Sequence, residues 1–174
     1  MAKIFTKEEN QAWSKTLPGK MCSACIALRS SGKVLMVKAN YKDHWTFPSG
    51  IVDENESPKA TALRETTEEV GITVEEDKCN FLMVIYSTSN SGGRDRFNFA
   101  FVADLPDQNI KLSVPNGEIE KAEWVNFEDV AVRANNKGSY IKLQEALLGY
   151  DKSIHYAEVH PDINVYKSSN TSTQ

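Results

Sequence analysis

GIVDENESPKATALRETTEEVGI, residues 50–72, contains a helix with both ends written into it. Ser57 can accept a hydrogen bond from an amide of the first turn, and Pro58 has its φ preset for the first helical position. Gly71 suits the left-handed residue that closes a helix, so the spacing predicts a helix over Pro58–Val70. Within it Glu65, Glu68 and Glu69 stand at i, i+3 and i+4 and rise from one face. Ala62 and Thr66 flank that face. Ala60, Leu63, Thr67 and Val70 trace a more apolar side, expected to pack on a sheet. Three like charges on one face repel one another. A hard divalent cation relieves that repulsion, because carboxylate oxygens are its natural ligands. The alternative is an ordinary solvated acidic face.

The surrounding spacing weighs against that alternative. Gly50, Glu56, Arg64, Glu65, Glu68, Glu69, Gly71 and Ile72 match the pattern Gly, five residues, Glu, seven residues, then Arg-Glu-apolar-any-Glu-Glu-any-Gly-apolar. The stretch therefore resembles the Nudix box. Thr66 departs from it, standing where an aliphatic residue is usual, and Ser49 stands where a glycine often precedes the box. The lead-in WTFP, residues 45–48, is similar to the family's as well. Eight fixed positions at fixed spacing make a far more specific signal than a lone glycine-rich motif.

The resemblance implies an α+β fold, an α/β/α sandwich around a mixed sheet with the box as a loop–helix–loop. It implies Mg²⁺ or Mn²⁺ on Glu65, Glu68 and Glu69. A further glutamate is expected on a loop shortly before a downstream tryptophan; Glu118 is the first choice by spacing to Trp124 and Glu120 the second, with Glu123 on the surface. The Ser49 carbonyl is another candidate ligand. Arg64 is expected to pair with Glu56 and hold the loop to the helix, an orienting role, while Gly50, Glu56 and Gly71 are structural positions. Either Glu65 or Glu118 would serve as the base.

The implied reaction is hydrolysis of a pyrophosphate bond in a nucleoside diphosphate linked to another moiety. That moiety is read by loops outside the box. Nucleoside triphosphates, nucleotide sugars, dinucleoside polyphosphates and RNA 5′ ends all stay open as substrates. No SQPWPFPxS-type signature follows that would mark an ADP-ribose or NADH specialist. Two rival classes share the fold. A catalytically silent nucleotide-binding module usually has eroded box acids, and these are intact. An isoprenoid diphosphate isomerase needs an added catalytic cysteine and glutamate, a role that neither Cys22 nor Cys25 fits without strain.

The rest of the 174-residue chain gives the setting. Its net charge of −4 equals that of the box alone, where six acids face two bases. No basic excess points to extended nucleic-acid binding. An acidic site receiving an acidic substrate calls for metal between them. Residues 1–20 hold no apolar run long enough for a signal peptide or a membrane span, so a cytoplasmic location is expected, with no membrane partner. One domain over residues 1–165 is expected, with 1–20 as an N-terminal extension and 166–174 as a disordered tail. A homodimer stays open.

Thr6 should cap a short helix whose Trp13 packs on the body. Met21–Arg29 and Lys33–Lys38 read as strands about the turn Ser30-Ser31-Gly32. Cys22 and Cys25 fall on opposite faces of a strand and would not share a metal. Cys79 stands alone, so the cysteines read as small core residues. Phe47 reads as core, and Trp45 is a candidate for stacking on substrate. Ile72–Val74 is expected to begin a strand. Asn80–Ser89 and Arg96–Leu105 should be strands joined across NSGGRD, with Phe97, Phe99 and Phe101 on one face. Arg94 and Arg96 are candidates for phosphate contact. Trp124-Val125 reads as strand, and Gly138–Leu148 as a terminal helix.

Overall fold

The computed structural model describes residues 5–89, 93–106, 108, 113, 117–149 and 155–160. The expected tail 166–174, part of the NSGGRD turn and most of the Asp107–Gly117 loop lie outside the described residues.

Ser31 and Gly32 both take positive φ, 48° and 76°, which turns β1 (Met21–Ser30) into β2 (Lys33–Ala39). The two strands pair antiparallel beside the turn, at Arg29–Val34 and Ser30–Lys33. Farther from it, β1 pairs with the short β3 (Ser49–Ile51), Ala24 facing Gly50, while Thr46 bridges to Val37 on β2. Residues 46–51 therefore thread between the arms of a splayed hairpin, which delivers the start of the box to the middle of the sheet.

The other edge of β1 pairs in parallel with β5 (Arg96–Asp104) over its whole length. Beyond lie β4 (Asn80–Ser87), antiparallel to β5, and β7 (Tyr156–Val159), parallel to β4. On the opposite flank β6 (Ile119–Asn126) pairs antiparallel with β2. The order is β6-β2-β1-β5-β4-β7, with β3 on β1, a mixed sheet.

Both faces of the sheet are covered, and for that reason β1 and β2 are nearly continuous apolar runs. Ala24, Ile26, Leu28, Leu35 and Val37 pack with Ala62 and Val70 of α2 (Pro58–Val70). Cys25, Ala27, Val34 and Met36 pack on the other side with Phe47 and with Leu143 and Leu147 of α4 (Gly138–Leu148). The result is the expected α/β/α sandwich. A short α3 (Val130–Arg133) follows β6.

Two expectations change. Helix α1 (Lys7–Ser14) forms with the Thr6–Glu9 capping box, yet it buries no residue and Trp13 is 59 % exposed. A helix whose only large apolar side chain is one tryptophan has no stripe with which to dock. Residues 72–74 form no strand; a single 3₁₀ turn, Glu76–Lys78, intervenes before β4 begins at Asn80.

Candidate active site

Helix α2 starts and stops where its caps require. The Ser57 Oγ accepts from the Ala60 N–H at 3.1 Å, Pro58 opens the first turn, and Gly71 closes the helix at φ 71°. The loop before it is tied down by one guanidinium. Arg64 Nε donates to Glu56 Oε1 at 2.9 Å and its Nη2 to Glu56 Oε2 at 3.1 Å, a two-pronged contact. The Thr61 hydroxyl adds a bond to Glu56 Oε2 at 2.6 Å. These partners, Arg64 first, pull the Glu56 carboxyl down to about 2. Arg64 Nη1 then reaches Glu65 Oε1 at 2.8 Å and Glu68 Oε2 at 3.0 Å. The orienting pair expected of Arg64 and Glu56 is present, and the same arginine also gathers two of the box acids.

The rotation of α2 about its axis differs from the expected one. Its buried residues are Thr61, Ala62, Thr66, Glu69 and Val70, whereas Ala60 and Thr67 are exposed. The acidic face and the sheet-packing face overlap along the Ala62–Thr66–Glu69 line. Thr66, in the aliphatic slot, is fully buried and donates its hydroxyl to the Ala62 carbonyl at 2.7 Å, so no polar atom is stranded there.

Glu69 is only 4 % exposed. Its Oε2 accepts from the Ser49 N–H at 3.1 Å. Burial pushes its carboxyl up to about 7, with the Ser49 amide pulling the other way and Glu65 adding to the rise. In β3 the backbone groups of Gly50 face β1, as shown by the flanking bonds Ile26 N–H to Pro48 O and Val52 N–H to Cys22 O. The N–H and C=O of Ser49 therefore both point to the opposite edge, where Glu69 lies. Glu65 lies against Gly50: a Cβ built there would stand 1.9 Å from Glu65 Oε1. Burial raises the Glu65 carboxyl too, against the pull of Arg64.

Glu118 precedes β6 and is exposed, and its charge is felt by both Glu65 and Glu69. Its carbonyl accepts from the Asn40 N–H at 2.9 Å. Glu120 pairs instead with Lys121 at 3.6 Å, and Glu123 with Arg133 at 3.1 Å. Arg96 begins β5, exposed, and its charge reaches Lys42 beside the cluster. Arg94 lies over Gly19, and Trp45 packs on the α4-side core with Arg133 5.1 Å from its ring. Sequence reasoning passed over Tyr41 and Lys42, which feel the charges of Glu118, Glu69 and Glu65 from the turn after β2. No spacing rule links that turn to α2; only the splay of the hairpin brings them together.

The donor set suits a hard divalent cation: carboxylate oxygens, a main-chain carbonyl edge and a buried Glu69 whose negative charge is offset in part by the Ser49 N–H and the charge of Lys42. Among the described residues no three acids converge in ligating geometry; Glu65 and Glu68 are paired with Arg64.

Comparison with known proteins gives the family. The model of the NUDIX domain matches residues 20–145. This chain belongs to the Nudix family. It is similar to the nucleoside diphosphate-linked moiety X motif 6 protein of Xenopus laevis, 25 % identical over 84 % of this chain and 72 % of that one. Other curated relatives are much longer, the chain spanning 30 % of one and 29 % of another. Its fold matches the Nudix domain of Shewanella oneidensis NrtR, solved with ADP-ribose, at a TM-score of 0.67 and 18 % identity over 84 % of this chain and 99 % of that one. It also matches the bifunctional NMN adenylyltransferase/ADP-ribose pyrophosphatase of Francisella tularensis, solved with AMP and a manganese ion, at 0.60 and 15 % identity over 80 % and 46 % of the two chains.

Proposed function

We propose that this Nudix domain hydrolyses a pyrophosphate bond in a nucleoside diphosphate linked to another moiety, with Mg²⁺ or Mn²⁺ held by Glu65, Glu68, Glu69 and Glu118 and by the Ser49 carbonyl. The observation that carries the reading is the buried, weakly compensated Glu69 carboxylate at the edge of β3, beside the half-buried Glu65. A carboxylate kept there without a cation is costly. A divalent cation so held would neutralise the diphosphate, polarise its phosphorus and acidify a water.

The chain's own residues then have separate tasks. Arg64 fixes the carboxylates of Glu56 and Glu65 in position and does no chemistry itself. Glu65 or Glu118 takes the proton of the attacking water; a carboxyl raised by burial, as at Glu65, is the better proton acceptor near neutral pH. Arg96 supplies positive charge toward the phosphates from the start of β5. The substrate class spans nucleoside triphosphates, nucleotide sugars, dinucleoside polyphosphates and RNA 5′ ends.

The test is a substrate panel with Mg²⁺ and with Mn²⁺, run beside Glu69→Gln and resolved by product. Turnover in the variant is expected to fall about 100-fold or more, since a charge-bearing ligand is lost. Unchanged turnover in the variant, or no cleavage of any diphosphate by the parent, would reject the assignment.

A further inference from the structure

We propose that Lys42 is a phosphate-binding residue of this site, its ammonium taking an oxygen of the substrate's diphosphate. The inference rests on the reading that the site receives a diphosphate, and it assigns a contact outside the box.

The turn that carries Lys42 is fixed on both sides. The Asn40 N–H donates to the Glu118 carbonyl at 2.9 Å and its side-chain amide to the Gly117 carbonyl at 3.1 Å. The Lys42 N–H donates to the Ala39 carbonyl at 3.2 Å, and the Lys38 ammonium donates to the Lys42 carbonyl. This turn and the Glu118 segment are therefore stapled together, with Lys42 in the field of Glu69, Glu118 and Glu65. The Lys42 side chain is half-buried, with its ammonium 5.5 Å from the centre of the Tyr41 ring. Among the described residues that ammonium has no hydrogen-bonded or ion-paired partner.

A half-buried cation without a bonded anion is costly. Here Glu69, Glu118 and Glu65 offset that cost from nearby, while the charge of Arg96 adds to it. Metal on the carboxylates uses up the offset. Lys42 and Arg96 are then left as adjacent excess positive charge, the condition that a polyanion relieves. An ammonium is a compact point charge suited to a phosphate oxygen, and its fixed backbone lowers the ordering cost of the contact.

The test uses the full chain with methylenediphosphonate, a diphosphate analogue whose P–C–P bridge is not hydrolysed. Mn²⁺ binding is titrated first, and diphosphonate binding to the Mn²⁺-loaded protein second, for the parent, Lys42→Met and Lys42→Arg. Lys42→Met should weaken the diphosphonate about tenfold or more and leave the Mn²⁺ affinity within about threefold, while Lys42→Arg restores most of the loss. Diphosphonate affinity unchanged in Lys42→Met overturns the proposal. So does Mn²⁺ affinity that falls in parallel, which would mean Lys42 only shapes the metal site, and so does a parent that does not hold the diphosphonate. A parent that binds both probes yet cleaves no nucleoside diphosphate derivative sinks the hydrolase reading and leaves Lys42 standing. An active parent whose Lys42→Met variant binds as before does the reverse.

Discussion

Gly50→Ala isolates one contact on which the site depends. Gly50 sits in extended β3, outside the left-handed region, so an alanine backbone fits there without torsional strain. What does not fit is the methyl group. It would meet Glu65 at 1.9 Å from Oε1, 2.3 Å from Cδ and 2.8 Å from Cγ. Ordinary contact begins at 3.4 Å, so Oε1 must retreat by about 1.5 Å. The tip of a glutamate is flexible, and the fold survives the retreat, because Arg64 keeps its two bonds to Glu56. The Glu65 bond to Arg64, at 2.8 Å, is the one lost. Its loss costs about 1–2 kcal/mol, which lowers Tm by about 2–8 °C in a chain of this size. Activity suffers more, since a displacement of over ~1 Å in a positioned group costs about 100-fold in kcat. The assay is steady-state hydrolysis of the best substrate from the panel, with Tm measured alongside and Glu65→Gln as the second arm of a double-mutant cycle. If alanine acts through Glu65, the double variant is no slower than Glu65→Gln alone. Multiplying losses, or a Gly50→Ala enzyme within threefold of the parent, would refute this account of why glycine stands there.

Two further outcomes follow from the same geometry. In metal-free protein the Glu69 carboxyl, raised to about 7 by burial, binds its proton more tightly folded than unfolded, so its contribution to stability is full below the ordinary carboxyl range and is lost as pH rises through about 7. Glu69→Gln should therefore be more stable than the parent at pH 8 without metal, by about 1–3 kcal/mol, although turnover is lost; equal denaturation midpoints would count against a weakly compensated carboxylate. Gly71→Ala forces a left-handed alanine at φ 71° and puts its Cβ 2.0 Å from Ser113 Oγ, so a loss of about 1–2 kcal/mol is expected in urea unfolding, and no loss would show that the helix end can re-form elsewhere.

Much of the candidate site is local and could be read from the chain. The caps of α2 depend on Ser57, Pro58 and Gly71 acting on their own neighbours, and the structure keeps all three. The grouping of Glu65, Glu68 and Glu69 follows from helical pitch alone. What pitch does not supply is the rotation of the helix against the sheet. Alanine and threonine are compatible with either side, so Ala60, Leu63, Thr67 and Val70 made as good a buried stripe on paper as Ala62, Thr66, Glu69 and Val70 do in the fold. The outcome put Glu69 at the protein interior and gave it the proton affinity and the Ser49 partner on which the proposal rests.

The sequence by itself determined the family, the α+β layering and the identities of the box acids, because fixed spacings and caps act over a few residues. Tertiary structure alone decided which distant strands meet, since the parallel pairing of β1 with β5 joins residues 75 positions apart in sequence, as with Met21 and Arg96. It also decided that the hairpin splays to admit residues 46–51, that Glu65 lies against Gly50, and that Tyr41, Lys42 and Glu118 come within the field of the α2 acids. Those meetings arise from packing both faces of one sheet, and no local spacing encodes them.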